Sequence, residues 1–360
     1  MARPCRAYIQ QAIEVTGGWL PFDRFMALAL YAPDIGYYAS NAPKFGLSPQ
    51  SGSDFVTAPE LSPLFGQVLA TQLAQALQVT GTDALWEFGA GSGALAGQVL
   101  AALDAQGAPL TSYTIVELSA SLRARQQQTL AAYGQRVRWI NELPAQIQGV
   151  LLGNEVLDAM PVKLLARTGG VWHERGVALQ GDALVFEDRR TDLRPPVVIE
   201  GAHDYLCEIH PQAEAFISTL ADKLTQGAAF FIDYGFSEAE YYHPQRHMGT
   251  LMCHHRHLAD PNPLVQVGEK DITAHVNFTA MALAAQEAGL GVLGYTSQAR
   301  FLMNCGLLAQ LESATLHQRA LAQKLLTEHE MGELFKVLGL FKGKPWEALG
   351  FVQGDRTHTL

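Results

Sequence analysis

Apolar positions along this chain switch repeatedly between short continuous runs and helical spacing. Ala84-Leu-Trp-Glu-Phe88 is a brief apolar run that stops at a glycine loop, and Leu95 to Leu103 then carries apolar residues at helical intervals. The same unit recurs. Tyr113-Thr-Ile-Val-Glu117 predicts a second strand with its helix over Ser119 to Ala132, Val137-Arg-Trp-Ile140 a third, Gly149-Val-Leu-Leu-Gly153 a fourth and Ala228-Ala-Phe-Phe-Ile-Asp233 a fifth. Ala280 to Gly289 reads as a helix and Val292 to Thr296 as a sixth strand. Ala299 to Gly332 reads as mostly helical with a break at Gly306, and Phe335 to Phe341 as the last strand. Strands separated by helices need right-handed crossovers, so the pattern predicts an α/β fold with a doubly wound, mostly parallel sheet.

Two stretches leave this rhythm. Lys163 to Arg167 and Val171 to Val177 alternate like strands, Gln180-Gly-Asp182 forms a turn before Leu184-Val-Phe186, and Pro195-Pro196 breaks the run. This predicts a β-meander within an insertion at about 163–215. A second insertion, at about 237–278, is rich in His, Pro and Asn. The first 80 residues read as helices around a Pro- and Gly-rich loop from Ser40 to Pro63. The expected organisation is an N-terminal helical or lid segment over 1–80, a Rossmann-like core with the two insertions over 81–300, and a C-terminal helical segment with the final strand over 301–360.

Composition narrows the class. Of 360 residues, 48% are apolar and 17% charged, which suits a sizeable core and excludes wholesale disorder. A formal charge of -10 argues against general affinity for nucleic-acid backbones. Cys5, Cys207, Cys253 and Cys305 are far apart and form no Cys-x-x-Cys pair, which excludes a zinc knuckle or redox motif and suits a reducing compartment. Tyr8-Ile-Gln-Gln-Ala-Ile13 is too polar for a signal-peptide core, and no apolar run approaches the roughly 18 residues of a membrane span. A soluble, cytoplasmic chain with no membrane contact is expected.

Candidate chemistry begins where the first of these strands ends. In Glu87-Phe-Gly89-Ala-Gly91-Ser-Gly93 the glycines permit a sharp turn and let a ligand approach the backbone. The helix that follows offers free N–H groups and the positive end of its dipole. Glu117 closes the second strand, where a carboxylate can accept both hydroxyls of a ribose. Glu87 sits two residues before the first glycine, placed to hold the amino group of an amino-acid ligand. Gly89-x-Gly91-x-x-Ala94 also fits the dinucleotide fingerprint. Against a dehydrogenase stand the position of the loop, well inside the chain, and the lack of a hydride-transfer set after it.

The wider set of motifs resembles the MidA-like family of class I S-adenosylmethionine-dependent methyltransferases, which includes mitochondrial protein arginine methyltransferases needed for assembly of respiratory complex I. The resemblance rests on Tyr31-Ala-Pro-Asp-Ile-Gly-Tyr-Tyr38, Asp54-Phe-Val-Thr-Ala-Pro-Glu60 with Ser62 and Phe65-Gly66, and Gly153-Asn-Glu-Val-Leu-Asp-Ala-Met-Pro161. It continues through Ile232-Asp-Tyr-Gly-Phe236, Gly249-Thr250 and Gly268-Glu-Lys-Asp-Ile-Thr-Ala-His-Val-Asn-Phe278, and spans about Gly18 to Leu340. It implies S-adenosylmethionine as donor, gripped by Glu87, Gly89, Gly91, Gly93, Glu117 and Asn154. It implies a protein substrate methylated on arginine, such as a respiratory-complex subunit. One departure is the segment Leu251-Met-Cys-His-His-Arg-His257, where an aromatic-rich stretch is expected.

An arginine nucleophile is a cation approaching a sulfonium, so carboxylates must neutralise it, and a guanidinium fork matches their geometry. Glu155, Asp158 and Glu60 are the candidates for this catalytic role. Asn154 and Glu155 follow the fourth strand at the carboxyl edge of the sheet, and Asp158, three residues on, shares a face with Glu155 if the segment is a helical turn. A helix cap with solvated acids is the competing reading of Asn154 to Asp158, and a helix start at Pro59-Glu60 that of Glu60. Asp233 is placed to support the cleft, and Tyr234, His275 and Asn277 to line the substrate side, with core packing the alternative for Tyr234 and structural hydrogen bonding for His275. The histidines at 243, 247, 254, 255 and 257 lack a carboxylate at fixed helical offset, so no metal is expected. The helical stretch from Ala299 to Gly332 offers a surface for a homodimer. Two other functions stay open: an assembly factor that uses the cofactor only structurally, and a methyltransferase of small molecules.

Overall fold

The computed structural model describes residues 4–40 and 57–360. Asp54 to Val56 of the motif above, and most of the Pro- and Gly-rich loop, lie outside the described residues.

The central sheet contains β1 (Ala84–Phe88), β2 (Ser112–Val116), β3 (Val137–Ile140), β4 (Ile147–Asn154), β5 (Leu224–Phe236), β6 (Gly291–Ser297) and β7 (Phe335–Lys342). Their spatial order is β6-β7-β5-β4-β1-β2-β3. The five strands from β5 to β3 are parallel, whereas β7 runs antiparallel to both of its neighbours. The chain therefore winds one way from β1 to β3 and the other way from β4 to β5. That reversal opens a crevice between the carboxyl ends of β1 and β4, the place where ligands bind in such sheets.

Both faces of the sheet are covered, which explains the nearly continuous apolar strands. Helices Pro63–Thr80 and Ala94–Gln106 pack on one face around Phe65, Leu69, Val99 and Phe230. Helices Pro211–Lys223 and Phe278–Glu287 pack on the other around Ile217, Phe231 and Met281. Local signals fix the helix ends. Ser62 caps the first by accepting from the Leu64 N–H at 3.3 Å, Pro63 occupies its first turn, and Gly81 closes it in a left-handed conformation.

The first insertion forms a separate antiparallel sheet of Lys163–Thr168, Val171–Gln180, Ala183–Arg190 and Tyr205–Ile209, completed by Trp19–Pro21 from the N-terminal segment. The N-terminal segment is thus not all helical: Leu20 pairs with Val177, and helices Pro4–Val15 and Phe22–Tyr31 share a core with this sheet. The His-rich segment forms strands Met252–His255 and Leu258–Asp260 beside Asp271–Thr273. Arg256 and His257 turn this hairpin with φ of 51° and 62°. Strand β5 also runs three residues past Asp233, because β7 and the short strand Val276–Asn277 pair with its end.

Candidate active site

A cleft of about 1680 Å³ opens at the carboxyl edge of the sheet, lined by residues from several segments between Ala27 and Phe335. The glycine loop forms one wall. Gly89, Gly91 and Gly93 have φ of 63°, 53° and 85°, which strain any residue with a Cβ. A Cβ on Gly89 would also meet Val156 Cγ2 at 3.0 Å. Gly93 ends the loop and starts the helix Ala94–Gln106, whose first N–H groups point back towards the cleft.

Two buried carboxylates flank this loop. Glu87 accepts a hydrogen bond from the Tyr113 hydroxyl at 2.8 Å, and burial pushes its pKa up to about 7. Glu117 follows the end of β2 and accepts from the Ser119 N–H at 2.8 Å and from Gln126 Nε2 at 2.9 Å. Burial raises its pKa against the pull of those bonds. A carboxylate has about four acceptor sites, so acceptor capacity remains for a ligand. Gln126 was not foreseen. It also donates to the Gly91 carbonyl at 3.0 Å, and its oxygen accepts from the Trp139 indole at 3.0 Å. It thereby ties the glycine loop, the end of β2 and β3 together. Its only distinction is being the one buried residue of a polar helix, which the sequence does not display.

The segment after β4 faces this wall. Register places Phe88 beside Gly153, so Asn154 and Glu155 emerge next to the glycine loop. The expected helical turn is absent. Glu155 has a φ of 54°, and the segment is a bend and turn. Its shape comes from Asp233 on β5, whose Oδ2 accepts the N–H groups of Val156, Leu157 and Asp158 at 3.1, 2.9 and 3.2 Å. Its Oδ1 accepts the Tyr234 N–H at 3.0 Å. A carboxylate one strand away, rather than helical spacing, brings Glu155 and Asp158 to the same cleft.

These acids are unusually basic. Burial, with repulsion from Asp158, pushes the Glu155 pKa up to about 8, while Asn154 Nδ2 at 3.2 Å and the Ala58 backbone oppose the shift. Burial likewise pushes Asp158 up to about 6, opposed by the hydroxyl of Tyr234, which donates to its Oδ2. Asp158 Oδ1 and Asn154 Oδ1 are buried with no hydrogen-bond partner among the described residues. Nearby, the Tyr31 and Tyr38 rings stack with centroids 5.6 Å apart, and the Tyr38 hydroxyl reaches both oxygens of buried Asp271 at 3.0 Å. Neither tyrosine nor Asp271 was singled out beyond its place in a motif.

Glu60 lies in the short helix Ala58–Leu61 and accepts from the Ser92 hydroxyl of the glycine loop. Gln98 secures this segment, donating to the Pro59 carbonyl at 2.8 Å and accepting from the Gly66 N–H at 3.1 Å. Tyr234 and His275 line the cleft edge to face, with ring centroids 5.0 Å apart. Asn277 does not join them: its side chain caps the helix Phe278–Glu287 by accepting from the Ala280 N–H at 3.2 Å, and it lines a separate, smaller pocket. No three His, Cys, Asp or Glu side chains among the described residues gather as a metal-binding group.

A strained glycine loop, one carboxylate at the end of each of two adjacent strands, and a switch point in this strand order define the donor pocket of a class I S-adenosylmethionine-dependent methyltransferase. The residues fit that donor. Free backbone N–H groups at the helix start would suit its carboxylate, Glu87 and unpartnered Asn154 Oδ1 its ammonium, and Glu117 its ribose.

Comparisons with known proteins agree. A family model described as "Putative S-adenosyl-L-methionine-dependent methyltransferase" matches residues 68–296, and the chain belongs to that family. A Burkholderia thailandensis protein crystallised with S-adenosyl-homocysteine is 49% identical, covers 99% of this chain and 96% of its own, and superposes with a TM-score of 0.96. The mitochondrial protein named "Protein arginine methyltransferase NDUFAF7" from Homo sapiens is 27% identical over 94% of this chain and 83% of its own length. The homolog of that protein from Caenorhabditis elegans is 24% identical over 93% of this chain and 86% of its own.

Proposed function

We propose that this methyltransferase acts on a guanidinium nitrogen of arginine in a partner protein. The observation that carries the reading is the character of the cleft beyond the donor pocket. Glu155, Asp158 and Asp271 meet there, with one buried oxygen that lacks a donor, Asp158 Oδ1. Buried acceptors without donors cost free energy, and a guanidinium carries five N–H groups in a planar fork. Tyr31, Tyr38 and Tyr234 add flat faces on which such a plane can rest. The relatives named as protein arginine methyltransferases support the same acceptor.

S-adenosylmethionine, when bound, supplies an electrophilic methyl group on a sulfonium. The residues of this chain do the rest. The glycine loop, Glu87, Asn154 and Glu117 hold the donor, and Glu60 braces the loop through Ser92. Glu155 and Asp158 receive the cationic side chain and ionise in its presence. As the nitrogen–methyl bond forms and the carbon–sulfur bond breaks, the nitrogen loses a proton, for which Asp158 Oδ1 is the acceptor. Tyr234 holds the other oxygen of that carboxylate, and Tyr234 and His275 wall the site. Holding both reactants in line and away from water contributes to the acceleration by removing the entropy of alignment from the barrier.

Among the described residues no helix is long and apolar enough to cross a membrane. We place the enzyme in the cytoplasm, with a respiratory-complex subunit as its methylated partner and a homodimer formed through the helices from Ala299 to Gly332.

The test is transfer of tritiated methyl groups from S-adenosylmethionine into a cell lysate, followed by acid hydrolysis of the labelled protein. Label that elutes as methylarginine supports the proposal. Label only in low-mass material would show a small-molecule enzyme, and absence of label under saturating donor a binding factor.

A further inference from the structure

A buried polar cluster built from both insertions lies behind the acceptor side of the cleft. At its centre is Glu208, on the strand Tyr205–Ile209 and fully buried. Its carboxylate accepts from the Tyr241 hydroxyl at 2.9 Å, the Thr250 N–H at 2.8 Å, the Thr250 hydroxyl at 3.1 Å and the Leu251 N–H at 3.0 Å. Gly249 allows this approach: its φ is +71°, and a Cβ there would lie 2.5 Å from Glu208 Oε1. A carboxylate removed from water is tolerated only when its oxygens are met by donors, and four are supplied here.

This cluster holds a single residue in place. Thr250 Oγ1 accepts the His275 N–H at 3.1 Å, and the His275 carbonyl accepts from His210 Nε2 at 2.9 Å. His210 must then carry its proton on Nε2. With its backbone gripped on both sides, His275 lays its ring parallel to Phe236, 5.2 Å between centroids and 3° between planes. The ring meets the edge of Tyr234, whose hydroxyl donates to Asp158. His275 lines the cleft, and its Nδ1 is buried with no partner among the described residues.

We infer that His275 accepts a hydrogen bond from the substrate beside Asp158, and that Glu208, acting through Thr250, is the positioning residue that fixes it there. The inference rests on the arginine reading for the identity of the N–H it would accept. Burial lowers the His275 pKa to about 4, so near neutral pH the imidazole is uncharged and keeps an acceptor nitrogen. The role also accounts for the Gly249-Thr250 motif, since only glycine lets the Thr250 peptide reach Glu208.

The test uses the full chain with tritiated S-adenosylmethionine and a dilution series of lysate protein, with methylarginine as the readout. Donor-side integrity is followed by calorimetric titration with S-adenosyl-homocysteine. Thr250→Val and His275→Phe should each lower the rate at limiting acceptor roughly tenfold, as expected for one lost hydrogen bond, with S-adenosyl-homocysteine affinity held within about twofold. Thr250→Ser, which keeps the hydroxyl, should restore the rate. Wild-type rates in His275→Phe, equal impairment of the Ser and Val variants, or a parallel loss of S-adenosyl-homocysteine affinity would each overturn the inference. Should Thr250→Val not fold, His275→Phe decides alone. Label in another amino acid that still falls in both variants would sink the arginine reading and keep the positioning role. A wild type that transfers no label overturns both.

Discussion

The two halves of the cleft are built in opposite ways. The donor half is largely local: β1, the glycine loop and the start of the next helix are contiguous from Ala84 to Gln106, Glu117 follows one strand later, and only Asn154 and the brace from Glu60 come from farther along the chain. The acceptor half draws on Tyr31 and Tyr38, Glu155 to Asp158, Tyr234, and Asp271 to His275. These segments are joined by long-range bonds such as those of Asp233 to the 156–158 backbone and of Tyr38 to Asp271. A pocket of the first kind is fixed by its own turn geometry. A pocket of the second kind can change its substrate by altering insertions while the donor grip stays intact. Variants in one half should therefore leave the other half's measurements unmoved.

The largest separation is expected from Glu155→Gln. Removing the charge that faces the cation should lower turnover about 100- to 1000-fold, the scale found when one preorganised electrostatic partner is deleted. Affinity for S-adenosyl-homocysteine, measured by calorimetry, should change by less than about threefold. Comparable losses in both would move Glu155 into the donor pocket and erase the contrast.

Asp233→Ala attacks the clamp instead of the chemistry. It leaves four backbone N–H groups without their acceptor, three of them in the 156–158 segment. A loss of about 3 kcal/mol in denaturant unfolding is expected. Turnover should fall even where the protein remains folded. A variant with unchanged stability would show that the segment after β4 holds its shape without help from β5.

Glu117→Ala is the counterpart in the donor half. Loss of a charged acceptor for two hydroxyls should weaken S-adenosyl-homocysteine roughly 10- to 100-fold in the same titration. Turnover at saturating donor should stay near the wild-type value. A large drop in turnover with unchanged affinity would reverse the assignment of the two halves.

What the sequence displayed follows the same division. The strand–loop–helix unit, the strained glycines and Glu117 announce themselves because their constraints act within a few residues. The acids after β4 were also visible, but the helical turn invoked to align them was not formed. Glu155 adopts a positive φ, and Asp233, 75 to 77 positions away, supplies the ordering bonds. Asn277 misled because a polar residue near a cleft motif serves equally well as a helix cap. The stacked Tyr31 and Tyr38, the Glu208 cluster, and the joining of Trp19–Pro21 to a sheet some 150 residues later depend on pairings that no local pattern encodes.

The raised acids also make stability depend on pH, with a definite sign. Glu155 ionises near 8 and Glu87 near 7 in the folded chain, against an ordinary value of 4.5 for each. Between those limits the folded state binds more protons than the unfolded one, so these groups make stability fall as pH rises from about 4.5 to 8. Buried His275 and His210, lowered from 6.5 to about 4, act in the opposite sense below about 6.5, so urea melts of the ligand-free protein should show the decline from about 6.5 to 8, and Glu155→Gln should flatten it. A stability that climbs across the same interval would contradict the burial of both carboxylates.

The finest probe of the contrast is Gln126, which touches neither half's proposed reactants but joins three elements of the donor half. Its Nε2 reaches Glu117 and the Gly91 carbonyl, and its oxygen reaches the Trp139 indole. Gln126→Met preserves length and fills the same buried space while removing all three bonds. Glu117 would keep its bond from the Ser119 N–H but lose the side chain that orients its second oxygen. Each such bond contributes on the order of 1 kcal/mol, and local relaxation recovers part of it. S-adenosyl-homocysteine binding should therefore weaken only about three- to tenfold, with turnover at saturating donor unchanged. If the affinity did not move, the donor pocket would owe its shape to the glycine loop alone, and the grip on the ribose would need no buttress. If turnover fell instead, the two halves would be coupled through β2 and β3, and the acceptor side would not be free to diverge independently of the donor side.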